Sequence, residues 1–254
     1  MITLYNRFLY EPILNLFVWL YNVLPGNDVG LVIIIITLAI RFILYPFYKK
    51  QVESQKAMQD LQPKVQETRE KYKDNKEEQA KAMMRLYKDN KVSPFSSCLP
   101  ILIQFPLFIA VYQVLRDGLT KTESLDLLYP FVSRPEMIDP FFLGLVDLST
   151  PNVILAVLAG AAQFWQAKML MQKRPAVKTE GSKDEDTMAI MNKQMTYIMP
   201  VMIIFFGLTL PSGLSLYWLV STLFMIAQQY LAFNKKNSGS TKIDEKTEVL
   251  AKNA

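Results

Sequence analysis

The feature that most constrains this chain is a set of five apolar segments, each close to the length of a membrane span. A helix needs about 20 mostly apolar residues to cross about 30 Å of hydrocarbon. The segments cover 29–48, 97–116, 153–171, 195–210 and 214–233. Charged stretches separate them, and a hydrophobic content of 51% clumped in this way is typical of an integral membrane protein. We therefore predict an all-α integral membrane fold with five transmembrane helices.

Basic residues are unevenly distributed between these segments, which predicts the orientation. Residues 49–91 contain twelve Lys or Arg and residues 168–193 contain six, whereas 117–152 contain two against six acidic residues. Lys- and Arg-rich connections stay in the cytoplasm. The N-terminus is therefore predicted outside the cell, with 117–152 as an extracytoplasmic loop, and the C-terminus inside.

The remaining connections are predicted from composition. Pro-Ser-Gly at 211–213 predicts a tight turn between the last two spans. Residues 172–194 are predicted to form a flexible cytoplasmic loop, and 234–254 a disordered, mildly basic cytoplasmic tail.

Residues 1–28 predict an amphipathic helix and a turn ahead of the first span. Polar residues recur along one stripe at Arg7, Glu11, Asn15 and Asn22, and apolar residues occupy the opposite face. Such a helix lies along the outer membrane surface. A sixth span is the alternative interpretation. We recognise no cleavable signal peptide and no large domain ahead of the first span.

Residues 49–96 are too charged for a span and predict a cytoplasmic helical hairpin. Apolar positions recur at steps of three and four on both sides of Lys-Asp-Asn-Lys at 73–76. The positions are Met58, Leu61, Val65, Thr68 and Tyr72, then Ala80, Met83 and Tyr87. Pro63 predicts a kink or a restart in the first arm. The hairpin is interpreted as a docking device, with a solvated spacer as the alternative.

Residue types that are rare or missing exclude several kinds of enzyme. The chain has no histidine and one cysteine, Cys98, so Ser-His hydrolases, HExxH proteases and an intramolecular disulfide are excluded. We predict no catalytic residue, no metal site and no cofactor, and we expect a protein that is not an enzyme.

Arg41 is the one charged residue well inside the first span. A charge at the centre of a bilayer costs at least about 2.5–3.5 kcal/mol and usually faces a bundle interior or a water-filled cavity. Snorkelling to the interface is the alternative. Because no acidic residue lies in the other spans to pair with it, we predict a hydrated groove that accepts a polar or acidic group.

Other polar residues of the spans are predicted to line the same groove. They are Thr37, Gln104, Gln163, Gln166, Tyr217, Trp218 and Ser221. A methionine stripe precedes and enters the fourth span at Met191, Met195, Met199 and Met202. Flexible, polarizable methionines suit a surface that contacts varied apolar partners, although ordinary packing uses the same residues.

Three stretches together resemble the YidC/Oxa/Alb family of membrane protein insertases. They are IIIITLAIRFILYP, LQPKVQETREKYKDNKEEQAKAMMRLYKDNKVSPFSSCLPILIQFPLFIAVYQVL and MTYIMPVMIIFFGLTLPSGLSLYWLVSTLF. The resemblance runs in order from about residue 4 to 233. It implies five spans, a cytoplasmic hairpin and a groove open to cytoplasm and lipid, with Arg41 as the groove arginine. It places Thr37, Gln104, Gln166 and the Tyr217-Trp218 pair near that groove. It also implies that the second and fourth spans guide the apolar segment of the client.

The resemblance also implies a function and partners. A bacterial plasma-membrane protein of this kind inserts and helps fold nascent membrane proteins, in contact with lipids and with the ribosome and the Sec translocon as further partners. It binds no nucleic acid sequence-specifically. The large periplasmic domain and the lipoprotein signal found in some members are not seen here. The alternative functions are a small transporter or anion channel, an intramembrane protease using Ser212 or Ser215, and a scaffold.

Overall fold

The computed structural model describes residues 2–92, 99–120, 122–171 and 194–231, and these residues are mostly helical. We number the helices α1 (Ile2–Tyr5), α2 (Glu11–Val23), α3 (Val29–Ile43), α4 (Tyr45–Lys71), α5 (Lys76–Asp89), α6 (Leu99–Thr120), α7 (Val153–Met171), α8 (Met199–Thr209) and α9 (212–231). This content agrees with the predicted all-α class. The loop predicted over 172–194 and the tail predicted over 234–254 lie almost entirely outside the described residues.

Shorter elements connect these helices. π-Helical turns at Asn6–Tyr10 and Gln194–Ile198 lead into α2 and α8, and a 3-10 helix covers Thr122–Leu127. Two short strands, β1 (Phe141–Phe142) and β2 (Val146–Asp147), pair antiparallel within the loop between α6 and α7.

The first predicted span divides at Leu44 into two helices. The α3 helix ends at Ile43, α4 begins at Tyr45, and the two axes meet at 65°. Pro46 explains the break, because it has no N–H to donate to the Phe42 carbonyl and its ring clashes with that carbonyl. The α4 helix then continues to Lys71, so the junction expected between span and hairpin at 48–49 lies inside one helix.

No single helix within the described residues is both long and apolar enough to cross a bilayer. The α3–α4 pair meets that requirement only when the two helices are taken together across their bend.

The helices α4 and α5 pack against each other across a four-residue connection. Asn75 caps α5 by accepting from the Glu78 N–H at 3.2 Å, and the Gln79 side chain donates to the Arg69 carbonyl at 2.9 Å. The most buried side chains of this pair include Met58, Leu61 and Val65, which lie on the predicted apolar seam. The α4 helix continues through Pro63 without a restart.

The N-terminal helix packs against the protein as well as presenting an apolar surface. Leu14 and Phe17 are 0% and 2% exposed and belong to the main hydrophobic core, which includes residues of α3 and α6. Phe8, Trp19 and Val23 point away from that core and are exposed. The sequence pattern indicated one apolar face, whereas α2 has an apolar face in the core and another at the surface.

Asn15 links this helix to the loop between α6 and α7. Its side-chain amide donates to the Glu11 and Leu127 carbonyls at 2.8 and 3.2 Å, and its carbonyl oxygen accepts from the Tyr129 N–H at 2.6 Å. It is 3% exposed, so this member of the predicted polar stripe faces the protein and not water. Only the tertiary position of the loop decides this, because the helix periodicity cannot say what covers a polar residue.

We expect Asn15→Ala to lower the free energy of unfolding by about 1–3 kcal/mol, because it removes a buried side chain that bonds the Leu127 and Tyr129 backbone groups. Asn22→Ala is the matched control: its amide donates to the Ser133 carbonyl at 2.7 Å but at an exposed site. Thermal unfolding in detergent and limited proteolysis of the loop measure the difference. Equal effects of the two variants would contradict the role given to Asn15.

Candidate functional site

Arg41 lies in the last turn of α3 and is enclosed by side chains of the neighbouring helices. It is 2% exposed, while the next two residues, Phe42 and Ile43, are 63% and 74% exposed. The helix position itself favours the cation, because the unpaired carbonyls at a helix C-terminus carry partial negative charge. Arg41 therefore faces the bundle, as the cavity interpretation requires, and the apolar residues after it face outward.

Two side chains from other helices contact the guanidinium, and a third is linked to it through one of them. Nη2 of Arg41 donates to Oε1 of Gln104 on α6 at 3.2 Å. The ring of Tyr48 on α4 lies 4.6 Å from the guanidinium carbon, in cation–π contact. The other end of the Gln104 amide donates to the hydroxyl of Tyr217 on α9. We call Arg41, Tyr48, Gln104 and Tyr217 the arginine cluster.

One donor of the arginine cluster has no acceptor among the described residues. Within the described residues, Nη1 of Arg41 is buried and makes no hydrogen bond, and Arg41 makes no ion pair with a carboxylate. Buried polar groups almost always have a partner, and an unpaired donor on a charged group is costly. A further acceptor would satisfy this donor.

Thr37 lies one turn before Arg41 on the same helix. It was predicted to line the groove, but its hydroxyl is bonded within its own helix. Its hydroxyl donates to the Ile33 carbonyl at 2.6 Å, so it is satisfied within α3. Thr37 and Tyr217 both line a small cavity whose other walls are apolar side chains of α2, α3 and α6. Toward α2, Thr37 and Tyr217 therefore border apolar side chains.

A second polar group forms where α9 meets α7. Oε1 of Gln163 accepts from the Trp218 indole N–H at 3.3 Å and from the Thr222 hydroxyl at 3.5 Å. Gln166 is 6% exposed and its amide donates to the Met225 sulfur at 3.6 Å. The polar residues predicted to line one groove thus divide between the arginine cluster and this α7–α9 group.

The sequence interpretation missed Tyr48, Thr222 and Met225. Tyr48 is seven residues after Arg41, a spacing that returns to the same helix face, which is the signal that could have found it. Ser221, which was predicted, is 3% exposed and lies one turn after Tyr217.

The methionine stripe is described only in part. Met191 lies outside the described residues, and nothing is described of the Met195 side chain. Met199 is half-buried, and Met202 is exposed on α8.

Comparison with known proteins identifies related sequences over most of the chain. Residues 19–239 match the model of the family described as 60Kd inner membrane protein. A protein named Membrane protein insertase YidC from Fusobacterium nucleatum is 36% identical over 209 residues, which cover 82% of this chain and 88% of that protein. One named Membrane protein insertase YidC 1 from Listeria monocytogenes is 35% identical over 235 residues, covering 91% and 72%.

A longer relative is equally similar in sequence. Membrane protein insertase YidC from Haemophilus influenzae is 39% identical over 219 residues, which cover 85% of this chain and 35% of that protein. The chain therefore spans about a third of the length of this relative.

Proposed function

The chain belongs to the 60Kd inner membrane protein family, and on that premise we propose that it inserts newly made proteins into the bacterial plasma membrane and helps them fold. The family assignment confirms the resemblance found in the sequence, and the relatives described above are named membrane protein insertases. The observation that carries the proposal is the arginine cluster, which offers a buried positive charge with a free donor.

We propose that the polar flank of a client enters beside Arg41 while its apolar segment passes along the outer faces of α6 and α8 into lipid. The carboxylates of an acidic flank would accept from Nη1 of Arg41, in a site where hydration lowers the cost of moving them. Phe105 on α6 and Val201 and Phe205 on α8 are each more than 60% exposed, which supplies an apolar surface for the second step. No covalent bond changes, so the function is that of a chaperone and not of an enzyme.

The proposed orientation places the N-terminus outside and the C-terminus inside, with five spans. Hydrogen bonds join the α6–α7 loop to the N-terminal helix and to the turn before α9, which supports placing these three segments on the same side of the membrane. Tyr21 of α2 accepts from the Asp139 N–H at 2.8 Å, and the Ser212 N–H donates to the Thr150 carbonyl at 2.9 Å. The N-terminal helix, the α6–α7 loop and the turn before α9 therefore lie together, which supports the proposal that all three are on the outer side.

We propose that α4 and α5 face the cytoplasm and receive clients from the ribosome or the Sec translocon. The basic residues of 49–91 and an exposed Met84 on α5 support a docking surface there. The Met199 and Met202 positions on α8 would contact the apolar part of the client.

Insertion is tested with the purified chain in liposomes. A single-span client with a short acidic tail is synthesised in their presence, and we expect the tail to become protected from added protease. Empty liposomes and liposomes containing an unrelated membrane protein are the controls. Protection that is no greater than in these controls would contradict the proposal. Complementation of insertase-depleted bacteria measures the same activity in cells.

The rival function is a small transporter or anion channel, since a lone buried cation could bind an anion. Solute flux through the same liposomes discriminates between the two. Flux without any client insertion would favour the channel.

A further inference from the structure

Tyr48 of α4 packs directly against the Arg41 guanidinium. It is 2% exposed, and its ring lies 4.6 Å from the guanidinium carbon. Its hydroxyl is 3.5 Å from Oε1 of Gln104, the oxygen that also accepts from Nη2 of Arg41. Tyr48 therefore contacts both partners of the Arg41–Gln104 hydrogen bond.

The bend between α3 and α4 allows this contact. In a straight helix, residues 41 and 48 would lie about 10 Å apart along the axis. The 65° change of direction at Leu44, together with the length of the arginine side chain, brings the ring against the guanidinium. Pro46, which breaks the helix, therefore also positions the aromatic ring.

With these two contacts made, one donor of the buried guanidinium still has no partner among the described residues. The ring covers one face of the guanidinium, Gln104 takes Nη2, and the described residues provide no acceptor for Nη1. An arginine without these contacts could turn its head toward the interface and complete its hydration there. A guanidinium held between an aromatic ring and an amide loses less rotational freedom when it binds a carboxylate.

We propose that Tyr48 is a positioning residue that directs Nη1 of Arg41 toward the incoming carboxylate and so sets the preference for acidic client flanks. This inference rests on the proposed function and adds to it the residue that makes the cation selective. The proposal gives Tyr48 a role beyond packing in the bundle. The aromatic ring is needed to position the guanidinium, and the hydroxyl is secondary.

The test compares Tyr48→Leu with Tyr48→Phe in the complete chain. Each is assayed for insertion of two clients that differ only in whether the flank carries acidic or neutral residues. We expect Tyr48→Leu to lower the ratio of acidic to neutral insertion about fivefold, equivalent to about 1 kcal/mol. Tyr48→Phe keeps the ring and is expected to hold the ratio within about twofold of the unaltered chain.

Tyr45→Leu is the matched control, because Tyr45 lies on the same helix, is 44% exposed and does not contact Arg41 in the cluster. It should leave the ratio unchanged. An unchanged ratio in Tyr48→Leu overturns the proposal, as does an equal loss in Tyr48→Leu and Tyr48→Phe. A loss of both clients in equal proportion also overturns it, since that result indicates packing alone.

Binding of a short acidic peptide to the detergent-purified protein is measured beside insertion, with a neutral peptide as reference. If the unaltered chain inserts neither client, the proposed function fails, whereas peptide binding still tests Tyr48. Weaker binding of the acidic peptide to Tyr48→Leu than to Tyr48→Phe supports the inference, and equal binding contradicts it.

Discussion

Replacing Arg41 by alanine is expected to reduce insertion of a client with an acidic flank by about 10- to 100-fold. A hydrogen bond to a charged group contributes about 1.5–3 kcal/mol, and each 1.4 kcal/mol is about a factor of ten. The alanine removes the only charge that the described residues bring to this cluster, and leaves Gln104 without one of its donors. Insertion into liposomes, scored by protease protection of the acidic tail, measures the loss.

Arg41→Lys separates charge from geometry in the same assay. Lysine keeps the positive charge but replaces the planar fork by a single ammonium. We expect it to retain most of the insertion of acidic clients, within a few-fold of the unaltered chain. Arg134→Ala is the matched control, because Arg134 is an exposed arginine paired with Asp126 at 2.6 Å in the α6–α7 loop. If Arg41→Ala inserts acidic clients as well as the unaltered chain does, the role of the charge is refuted.

The second large effect is expected at Gly207, where three helices meet. A Cβ atom at this position would lie 2.7 Å from the Ala156 Cβ of α7, 2.7 Å from the Ser215 hydroxyl of α9 and 3.0 Å from the Ala156 Cα. The last is a backbone atom that cannot move without shifting α7. We expect Gly207→Ala to lower the free energy of unfolding by about 1–3 kcal/mol, the usual cost of overpacking. Thermal unfolding in detergent measures it.

Gly118→Ala makes the same substitution where there is room. A Cβ atom there would meet only the end of the Leu14 side chain, at an ordinary contact distance of 3.7 Å. Since alanine is favoured over glycine within a helix by about 1 kcal/mol, this variant should be neutral or more stable. If both variants are destabilised equally, overpacking between α7, α8 and α9 is not the cause of the effect at residue 207, and the prediction fails.

The close approach at Gly207 is also relevant to the proposed insertion route. The α7 and α8 helices pack through small residues, and a Cβ at Gly160 would lie 2.4 Å from the Ile204 side chain. Such packing holds α8 firmly against α7 while its exposed residues, including Val201 and Phe205, face away. A rigid support of this kind would let a client slide along α8 without separating the two helices.

Several features could be predicted from the sequence because they depend on local chemistry. Apolar blocks, proline positions and the a/d-like seam predicted helices over most of the described chain, and α7 begins and ends where the third span was predicted. Arg41 was predicted as a site residue because few environments within an apolar segment stabilise a charge. The same reasoning selected Gln104 and Tyr217, which contact each other and Arg41 through Gln104.

Other features could not be predicted because they depend on which helices become neighbours. The sequence placed Gln163 and Trp218 in the same groove as Arg41, yet their hydrogen bond belongs to the separate α7–α9 group. Tyr48 was not predicted as a site residue. Its spacing from Arg41 indicates a shared helix face, but the bend at Leu44 decides whether the ring meets the guanidinium. The hydrated groove and the five-span topology stay predictions.

The sequence by itself determined that this chain forms apolar helices with one arginine inside the first apolar segment, because burying apolar area and satisfying backbone groups act on each segment separately. The tertiary structure decided which partners that arginine has: an amide from α6 and a ring from beyond the Leu44 bend, with no acceptor for Nη1 in the part of the chain that the structure describes. These contacts join residues distant in sequence, and their geometry follows from helix packing, which local pattern does not encode.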